Sequence, residues 1–262
     1  MPAVRLLHFT DPHLYGRETE TLRGVATLPA LEVTVAHARD HHGNAQAFLV
    51  TGDIVQDDPG GYAHFRRVFG GLGKPVLCLP GNHDLVPQMK SELAAEPFLY
   101  GGWYDIDAWR IVMLDSVLPG EAGGALSVAE LERLERALAT AGGRYVLVCL
   151  HHQPVAMSSR WLDDVGLGNP QDFFRTIDSH RHVRAILWGH VHQAFEGLRK
   201  GVRLLATPST CSQFLPRADE FALDDSPPAY RLLELRENGT LSTSIVWLDA
   251  YASVARSSNS AA

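Results

Sequence analysis

The chain has few cysteines and no long apolar segment. Three cysteines occur in 262 residues, Cys78, Cys149 and Cys211, and none belongs to a CxxC pair. Three thiols cannot all pair within the chain, so we expect buried, reduced cysteines. No run of eighteen apolar residues is present, and the first apolar run, 4–10, is too short for the core of a signal peptide. We therefore predict a cytoplasmic protein with no membrane partner.

Basic residues are also sparse. Lys and Arg number 23 against 30 acidic residues, the formal net charge is −7, and no dense basic run occurs. Since a surface that follows a long nucleic acid needs a basic stripe, we expect no such partner. The remaining composition, 45% hydrophobic and 20% charged, is globular, and the length is enough to bury a sizeable core in one large domain or two small ones.

Polar clusters stand at the ends of apolar runs. Five strand-like runs are each followed within three residues by Asp, Asn or His; these runs are 4–10, 47–51, 75–79, 145–150 and 183–188. The side chains that follow them are Asp11, His13, Asp53, Asn82, His83, Asp84, His151, His190 and His192. One such cluster is typical of an ordinary turn, but five indicate a shared site. In α/β folds, ligands bind beyond the carboxyl ends of the strands, which is where these clusters fall.

Helical patterns alternate with the strands. Residues 27–42 carry apolar residues at helical spacing before Gly43, 62–69 predict a second helix, and the capping box Ser127–Glu130 begins a third. Strands that alternate with helices twice over predict two mainly parallel layers with helices outside.

Beyond residue 194 the pattern becomes antiparallel, with a hairpin signal at Asn238-Gly239. We expect one domain over 1–252, with a β-rich extension at about 202–250 and a disordered tail at 253–262. The antiparallel segment offers an edge for pairing in a homodimer.

Seven of the clustered side chains are of metal-binding types: Asp11, His13, Asp53, Asn82, His151, His190 and His192. Seven ligands are too many for one tetrahedral ion and suit two ions bridged by Asp53. Nitrogen and oxygen donors without thiolate favour Mn, Fe, Zn or Co. Two divalent ions, less two carboxylates and a bridging hydroxide, leave about one positive charge, which suits a phosphodiester. We therefore predict in-line attack by that hydroxide.

His83 is adjacent to the candidate ligand Asn82 but is not needed as a ligand. It is suited to protonating the leaving alkoxide or to stabilising the phosphoryl oxygens, with Asp84 orienting its ring. His151 and His152 are neighbours, and on sequence alone either can be the ligand.

The ordered motifs are DPH (11–13), GD (52–53), GNHD (81–84), HHQP (151–154) and GHVH (189–192). This set resembles the calcineurin-like metallophosphoesterases, and within them the bacterial class III cyclic-nucleotide phosphodiesterases that act on 3′,5′-cyclic AMP. The resemblance extends to RWLDD (160–164), LLATPSTCSQFLP (204–216) and FALDDSPPAYRLLEL (221–235). GNHD and GDIVQDD depart from the Ser/Thr phosphatases of the same superfamily.

The resemblance implies a four-layer α/β-β/α sandwich that hydrolyses cyclic AMP to 5′-AMP with manganese or iron, His83 assisting the leaving group. One ion is implied on Asp11, His13, Asp53 and His192, and the other on Asp53, Asn82, His151 and His190. We expect Asn82, His83 and His192 to contact the substrate. A broad phosphodiesterase for glycerophosphodiesters or other small diesters is the alternative, followed by a non-catalytic scaffold. The loop 156–170 and the segment 204–221 are expected to recognise base and sugar.

Overall fold

The computed structural model describes residues 3–248. The helices of this part are α1 Thr27–His42, α2 Gly61–Gly70, α3 Val86–Glu92, α4 Val128–Ala139, α5 Arg160–Asp163 and α6 Pro170–Asp178. The strands are β1 Val4–Phe9, β2 Thr21–Leu22, β3 Val25–Ala26, β4 Ala47–Thr51, β5 Val76–Leu79, β6 Phe98–Tyr100, β7 Gly102–Ile106, β8 Trp109–Met113, β9 Tyr145–Cys149, β10 Val183–Trp188, β11 Phe195–Arg199, β12 Val202–Ala206, β13 Gln213–Phe214, β14 Leu223–Asp224, β15 Ala229–Leu235 and β16 Leu241–Trp247.

Two six-stranded sheets form the centre of the molecule. The first has the order β16-β15-β1-β4-β5-β6 and the second β11-β12-β10-β9-β8-β7. Each sheet has four parallel strands. In the first, β15 and β16 add to one edge through antiparallel pairing, and in the second, β7 and β11 pair antiparallel at the two edges. The predicted mainly parallel layers are therefore present.

Successive side chains of a strand point to opposite faces, and this alternation sorts the core into layers. On β1, Leu6 packs between the sheets in a cluster with Trp109 and Leu187 of the second sheet. Its neighbour Leu7 faces the other way and packs with Leu31 of α1. The second sheet packs its own outer face against α4 and α6. The result is the predicted helix–sheet–sheet–helix sandwich.

Local signals explain where the helices begin. The predicted helix over 27–42 matches α1 in both bounds. Ser127 caps α4, because its hydroxyl accepts a hydrogen bond from the Glu130 backbone N–H. Val128 is 74% exposed, although apolar spacing predicts it to be buried. It lies in the first turn, whereas the buried stripe begins further along at Leu134.

The C-terminal strands do not form a layer of their own. β12 lies parallel to β10 inside the second sheet, while β15 and β16 extend the first sheet beside β1. The segment expected as an extension therefore belongs to both sheets. The predicted tail at 253–262 lies outside the described residues. Within residues 3–248, no helix is both long and apolar enough to cross a bilayer.

Candidate metal centre

The loops after β1, β4, β5, β9 and β10 meet at one edge of the two sheets and bring all seven candidate ligands together. Five of the seven have positive φ: Asp11, His13, Asp53, His190 and His192. This left-handed conformation is unfavourable for a residue with a Cβ and persists where the surroundings enforce it, as they do at functional sites. The strain therefore coincides with the site that the motifs predict.

Two motif glycines are required by close approach. A Cβ on Gly81 would lie 2.2 Å from Asp53 Oδ1, and one on Gly189 would lie 2.0 Å from Thr10 Oγ1. Real side chains do not come so close, so GNHD and GHVH need glycine for the loops to pack at this edge.

One group of candidate ligands contains Asp11, His13 and His192. His192 Nε2 lies 3.1 Å from His13 Nε2 and 3.3 Å from Asp11 Oδ1. Donor atoms that share a tetrahedral ion at ~2.1 Å are separated by about 3.4 Å. The spacing therefore fits three ligands of a single ion.

A second group surrounds His151. Its Nε2 lies 3.2 Å from both Asn82 Oδ1 and His190 Nδ1, and 3.4 Å from Asp53 Oδ2. Asp53 Oδ2 is also 3.8 Å from His13 Nε2, in the first group. The same oxygen therefore stands between the two groups, while Asp53 Oδ1 accepts the His83 backbone N–H at 2.8 Å.

Hydrogen bonds outside the cluster set the direction of the ring nitrogens. His151 Nδ1 lies 2.7 Å from the Thr51 carbonyl, and His192 Nδ1 lies 2.7 Å from the Ser212 carbonyl. A carbonyl accepts but cannot donate, so each Nδ1 carries the hydrogen and each Nε2 directs a lone pair into the cluster. Those lone pairs face carboxylate oxygens and other acceptors. The donor set thus fits bound cations.

The pKa values show the same demand for positive charge. Burial alone would lower the pKa of His151, but Asp53 and Asp11 outweigh burial and raise it to about 9. Burial would raise the pKa of Asp11, yet His192 and His151 together outweigh burial and lower that pKa to about 2. Both carboxylates are therefore ionised, and their negative charge favours a cation at Nε2 of His151, either a proton or a metal ion.

A directed chain of hydrogen bonds supports Asp11 from below. The Thr10 hydroxyl donates to Asp11 Oδ2 at 2.6 Å, and the Thr51 hydroxyl donates to Thr10 Oγ1 at 2.9 Å. Because the only hydrogen of Thr51 Oγ1 is used, this oxygen accepts from His8 Nε2, which lies 2.7 Å away. His8 is therefore the neutral tautomer with hydrogen on Nε2.

The series of hydrogen bonds continues into the second sheet. His8 Nδ1, left as an acceptor, lies 2.6 Å from Thr207 Oγ1, and Arg231 Nε donates to that hydroxyl at 3.2 Å. Arg231 is fully buried and pairs at 3.0 Å with Glu196. Each donor in this series points toward Asp11, so the series helps to fix that carboxylate. The sequence motifs do not single out His8, because its partners are distant along the chain.

Asp84 does not orient His83, contrary to expectation. Its buried carboxylate accepts the backbone N–H groups of Gly81 and Ile54 and the Tyr62 hydroxyl, at 2.9, 3.1 and 3.0 Å. Burial, followed by the charge of Asp53, raises the pKa of Asp84 to about 7. Asp84 thus holds the GNHD turn against the loop after β4, because side chains at adjacent positions of this turn point in different directions.

Asp57 contacts His83 instead. Its Oδ2 lies 2.9 Å from His83 Nδ1 and also accepts from Gln56 Nε2 at 3.0 Å. The His83 side chain is 32% exposed and that of Asp57 63%, so the pair lies at the mouth of the centre. The motifs do not single out Asp57, because its contact with His83 joins two different loops.

His152 lies beside the cluster, with a ring nitrogen within 4.8 Å of nitrogens of His151 and His190, but its own nitrogens are engaged elsewhere. Its Nδ1 lies 2.8 Å from Ser116 Oγ and its Nε2 3.3 Å from the Ala122 carbonyl, so both nitrogens have partners in the protein. The geometry therefore favours His151 as the ligand of this pair.

Comparisons with known proteins agree with this geometry. Residues 4–194 match the family model for the calcineurin-like phosphoesterases. The chain is 38% identical over 248 residues to the 3′,5′-cyclic adenosine monophosphate phosphodiesterase CpdA of Pseudomonas aeruginosa, covering 94% of this chain and 91% of that protein. The Escherichia coli K12 protein of the same name is 38% identical over 249 residues, covering 92% and 89%.

Solved structures with the same fold include a dimetal phosphatase from Danio rerio. It aligns with a TM-score of 0.67 over 93% of this chain and 99% of its own, at 14% identity. A likeness at this level of identity concerns the fold, and it agrees with the two-sheet sandwich described above.

Proposed function

Because this chain belongs to the calcineurin-like phosphoesterase family, as its motifs predicted, we propose that it hydrolyses 3′,5′-cyclic AMP to 5′-AMP with two bound metal ions. The substrate assignment rests on relatives from two bacteria that carry this name and match nearly the whole chain. The relatives also match beyond residue 194, where the family model ends.

The observation that carries the proposal is the position of Asp53 Oδ2 between two groups of imidazoles, 3.8 Å from His13 and 3.4 Å from His151. In the proposed centre one ion is held by Asp11, His13, Asp53 and His192, and the other by Asp53, Asn82, His151 and His190. The imidazole, carboxylate and amide donors suit manganese and iron, with zinc or cobalt as alternatives.

Bound ions of this kind lower the pKa of a coordinated water toward ~7 and withdraw charge from a phosphoryl oxygen. The protein's part is to hold the phosphodiester in line, and we assign this to Asn82, His83 and His192. Asn82 directs its Oδ1 at His151, which leaves its amide N–H groups for a phosphoryl oxygen.

Hydrolysis adds water to phosphorus and breaks the P–O3′ bond, so the departing 3′ oxygen must gain a proton. We assign this proton to His83, which lies at the mouth of the centre beside His13. Asp57 Oδ2 and Gln56 Nε2 both contact His83 Nδ1, at 2.9 and 2.8 Å, so these side chains position the ring and leave its Nε2 for the departing oxygen. Asp84 acts indirectly, by fixing the turn that carries His83.

The test uses Asp53→Ala, with Asp40→Ala as a matched control because Asp40 is an exposed carboxylate on α1. We expect manganese-loaded wild type and Asp40→Ala to convert cyclic AMP to 5′-AMP in a reaction that chelator stops. Asp53→Ala should lose at least about 100-fold in rate, and calorimetry should show fewer than two manganese ions bound.

Near-normal turnover by Asp53→Ala would refute the two-ion centre. Chelator-sensitive cleavage of bis(4-nitrophenyl) phosphate without cleavage of cyclic AMP would keep the centre and reject the substrate, in favour of another small diester. Binding of less than half an equivalent of manganese, with no turnover, would favour the scaffold.

Two other expectations remain part of this proposal. The three cysteines are free and buried, which suits the reducing cytoplasm. The outer edge of β11 is the proposed pairing surface of a homodimer, since β11 ends the second sheet. Light scattering across protein concentrations would test it, and a constant monomer mass would reject it.

A further inference from the structure

Three aromatic side chains, Trp161, Phe214 and Phe221, pack together against the candidate metal centre; we call them the aromatic cluster. Phe214 stacks on the ring of His192, with centroids 4.1 Å apart and planes 6° from parallel. Trp161 and Phe221 contact Phe214 edge-on at 5.1 and 5.4 Å, and each other at 5.3 Å. The cluster is therefore rigid and joined directly to a candidate ligand.

The two ends of the cluster differ in exposure. Phe214 is only 6% exposed, whereas Phe221 is 49% exposed. Leu215 and Leu223 on the same stretch are also exposed, so the surface beside the centre is an apolar patch rather than a single stray residue. Phe221 offers a fixed aromatic face two ring contacts away from His192.

Arg23 lies over this surface. Its guanidinium carbon is 5.1 Å from the centroid of Phe214 and 5.0 Å from that of Phe221. Arg23 comes from the tight turn between β2 and β3, and its other side-chain contacts within residues 3–248 include no hydrogen bond or ion pair. Burial lowers its pKa, and the charges of Cys211, Tyr15 and Asp53 partly offset this, which agrees with a position near the centre.

We propose that Phe221 and Arg23 form the base-binding part of the substrate site, with the nucleobase stacked on the outer face of Phe221 beside the Arg23 guanidinium. The inference rests on the proposed function, because the metal centre can recognise only the phosphodiester. Every nucleobase has a π-face that stacks on aromatic rings, and a planar guanidinium stacks in the same way.

The arrangement matches the shape of a cyclic nucleotide. A cyclic nucleotide carries its base on the ribose that holds the reacting phosphate, and Phe214, which stacks on candidate ligand His192, also contacts Phe221, so aromatic surface lies close to the candidate centre. A glycerophosphodiester has no ring to place on Phe221. The aromatic cluster therefore selects nucleoside diesters over other diesters, and since stacking does not read base edges, it selects weakly among bases.

The experiment compares cyclic AMP with methyl riboside 3′,5′-cyclic phosphate, which keeps the reacting diester and lacks the base. The variants are Phe221→Ala, Phe221→Trp and Arg23→Gln, with Val128→Ala as the control for loss of an exposed apolar side chain on α4. We expect Phe221→Ala to lower kcat/KM for cyclic AMP about 5- to 30-fold, mainly through KM, and to leave the base-free diester unchanged. Phe221→Trp should keep kcat/KM for cyclic AMP at the wild-type value. Arg23→Gln should lower kcat/KM less than Phe221→Ala does, and for cyclic AMP only.

A loss of equal size on both diesters, or no loss on cyclic AMP, would overturn the base-binding role. Calorimetry keeps this separate from the proposed function, since it compares 5′-AMP with ribose 5-phosphate on manganese-loaded protein without turnover. If Phe221→Ala weakens binding of 5′-AMP but not of ribose 5-phosphate, the base-binding role is supported. This holds even if wild type cleaves neither diester, which would reject the proposed function. Equal affinity of wild type and Phe221→Ala for 5′-AMP overturns it.

Discussion

His8 allows the sharpest test of how the sheets hold the candidate centre. It is fully buried, with Thr51 on one side and Thr207 on the other, and neither hydroxyl can reach water. His8→Leu keeps a similar volume but leaves the Thr51 oxygen without its donor and the Thr207 hydroxyl without its acceptor. A buried polar group deprived of a partner costs about 1–3 kcal/mol, and both threonines keep one other bond, so we expect a loss of about 3 kcal/mol.

His8→Gln is the matched variant, because an amide offers one donor and one acceptor at nearly the spacing of the ring nitrogens. It should recover most of that loss at pH 7.5. In thermal unfolding followed by circular dichroism, His8→Leu should melt about 6–12 °C below wild type. Its manganese affinity should fall about tenfold, since Asp11 loses the support of the hydrogen-bonded series.

The pH dependence isolates the charge of His8. Burial, together with Arg231, lowers its pKa from 6.5 to about 3. The unfolded chain thus binds a proton that the folded chain does not, and stability falls as pH drops from 6.5 toward 3. At pH 5 this costs wild type about 2 kcal/mol, a share that His8→Gln lacks. The stability of chelated wild type relative to chelated His8→Gln should therefore fall by about that amount between pH 7.5 and pH 5. If His8→Leu has the same melting temperature as wild type, or if the stability difference between wild type and His8→Gln is the same at pH 7.5 and pH 5, the reasoning is wrong.

Two other variants test neighbouring features. Asp57→Asn should lower kcat for cyclic AMP by at most about fivefold, since an exposed ion pair contributes only about 0.2–1 kcal/mol. His83→Ala should lower kcat far more, and equal losses in the two variants would give Asp57 a larger role than positioning. Gly189→Ala should lose about 100-fold or more in rate, because its Cβ would displace Thr10 beside Asp11. Gly71→Ala is the control, since the space around its Cβ is open, and it should have the melting temperature and turnover of wild type. An active Gly189→Ala would contradict the close packing.

The regularity of α/β folds explains how much of the molecule could be predicted. Apolar runs mark buried strands, and parallel strands place their carboxyl ends at one edge, so Asp53 and His151 can be expected together although they are far apart along the chain. Helix α1 was predictable because its spacing and stop signal are local. The order of the strands was less predictable. β12 joins the second sheet and β15 the first, and this assignment depends on which sheet has an open edge.

Side-chain partners are the part that patterns of spacing do not reach. GNHD places Asp84 next to His83, and this adjacency favours Asp84 as the carboxylate that orients the ring. In the folded chain, however, Asp84 accepts hydrogen bonds from backbone N–H groups, and Asp57 contacts the imidazole. The aromatic cluster joins residues from two separate segments, and Arg23 comes from a third. Such contacts follow from how loops pack once the sheets are formed. The candidate metal ligands can therefore be read from the motifs, whereas the residues proposed to position His83 and to bind the base are identified only from the tertiary structure, which is why Phe221 and Asp57 are the informative positions to change.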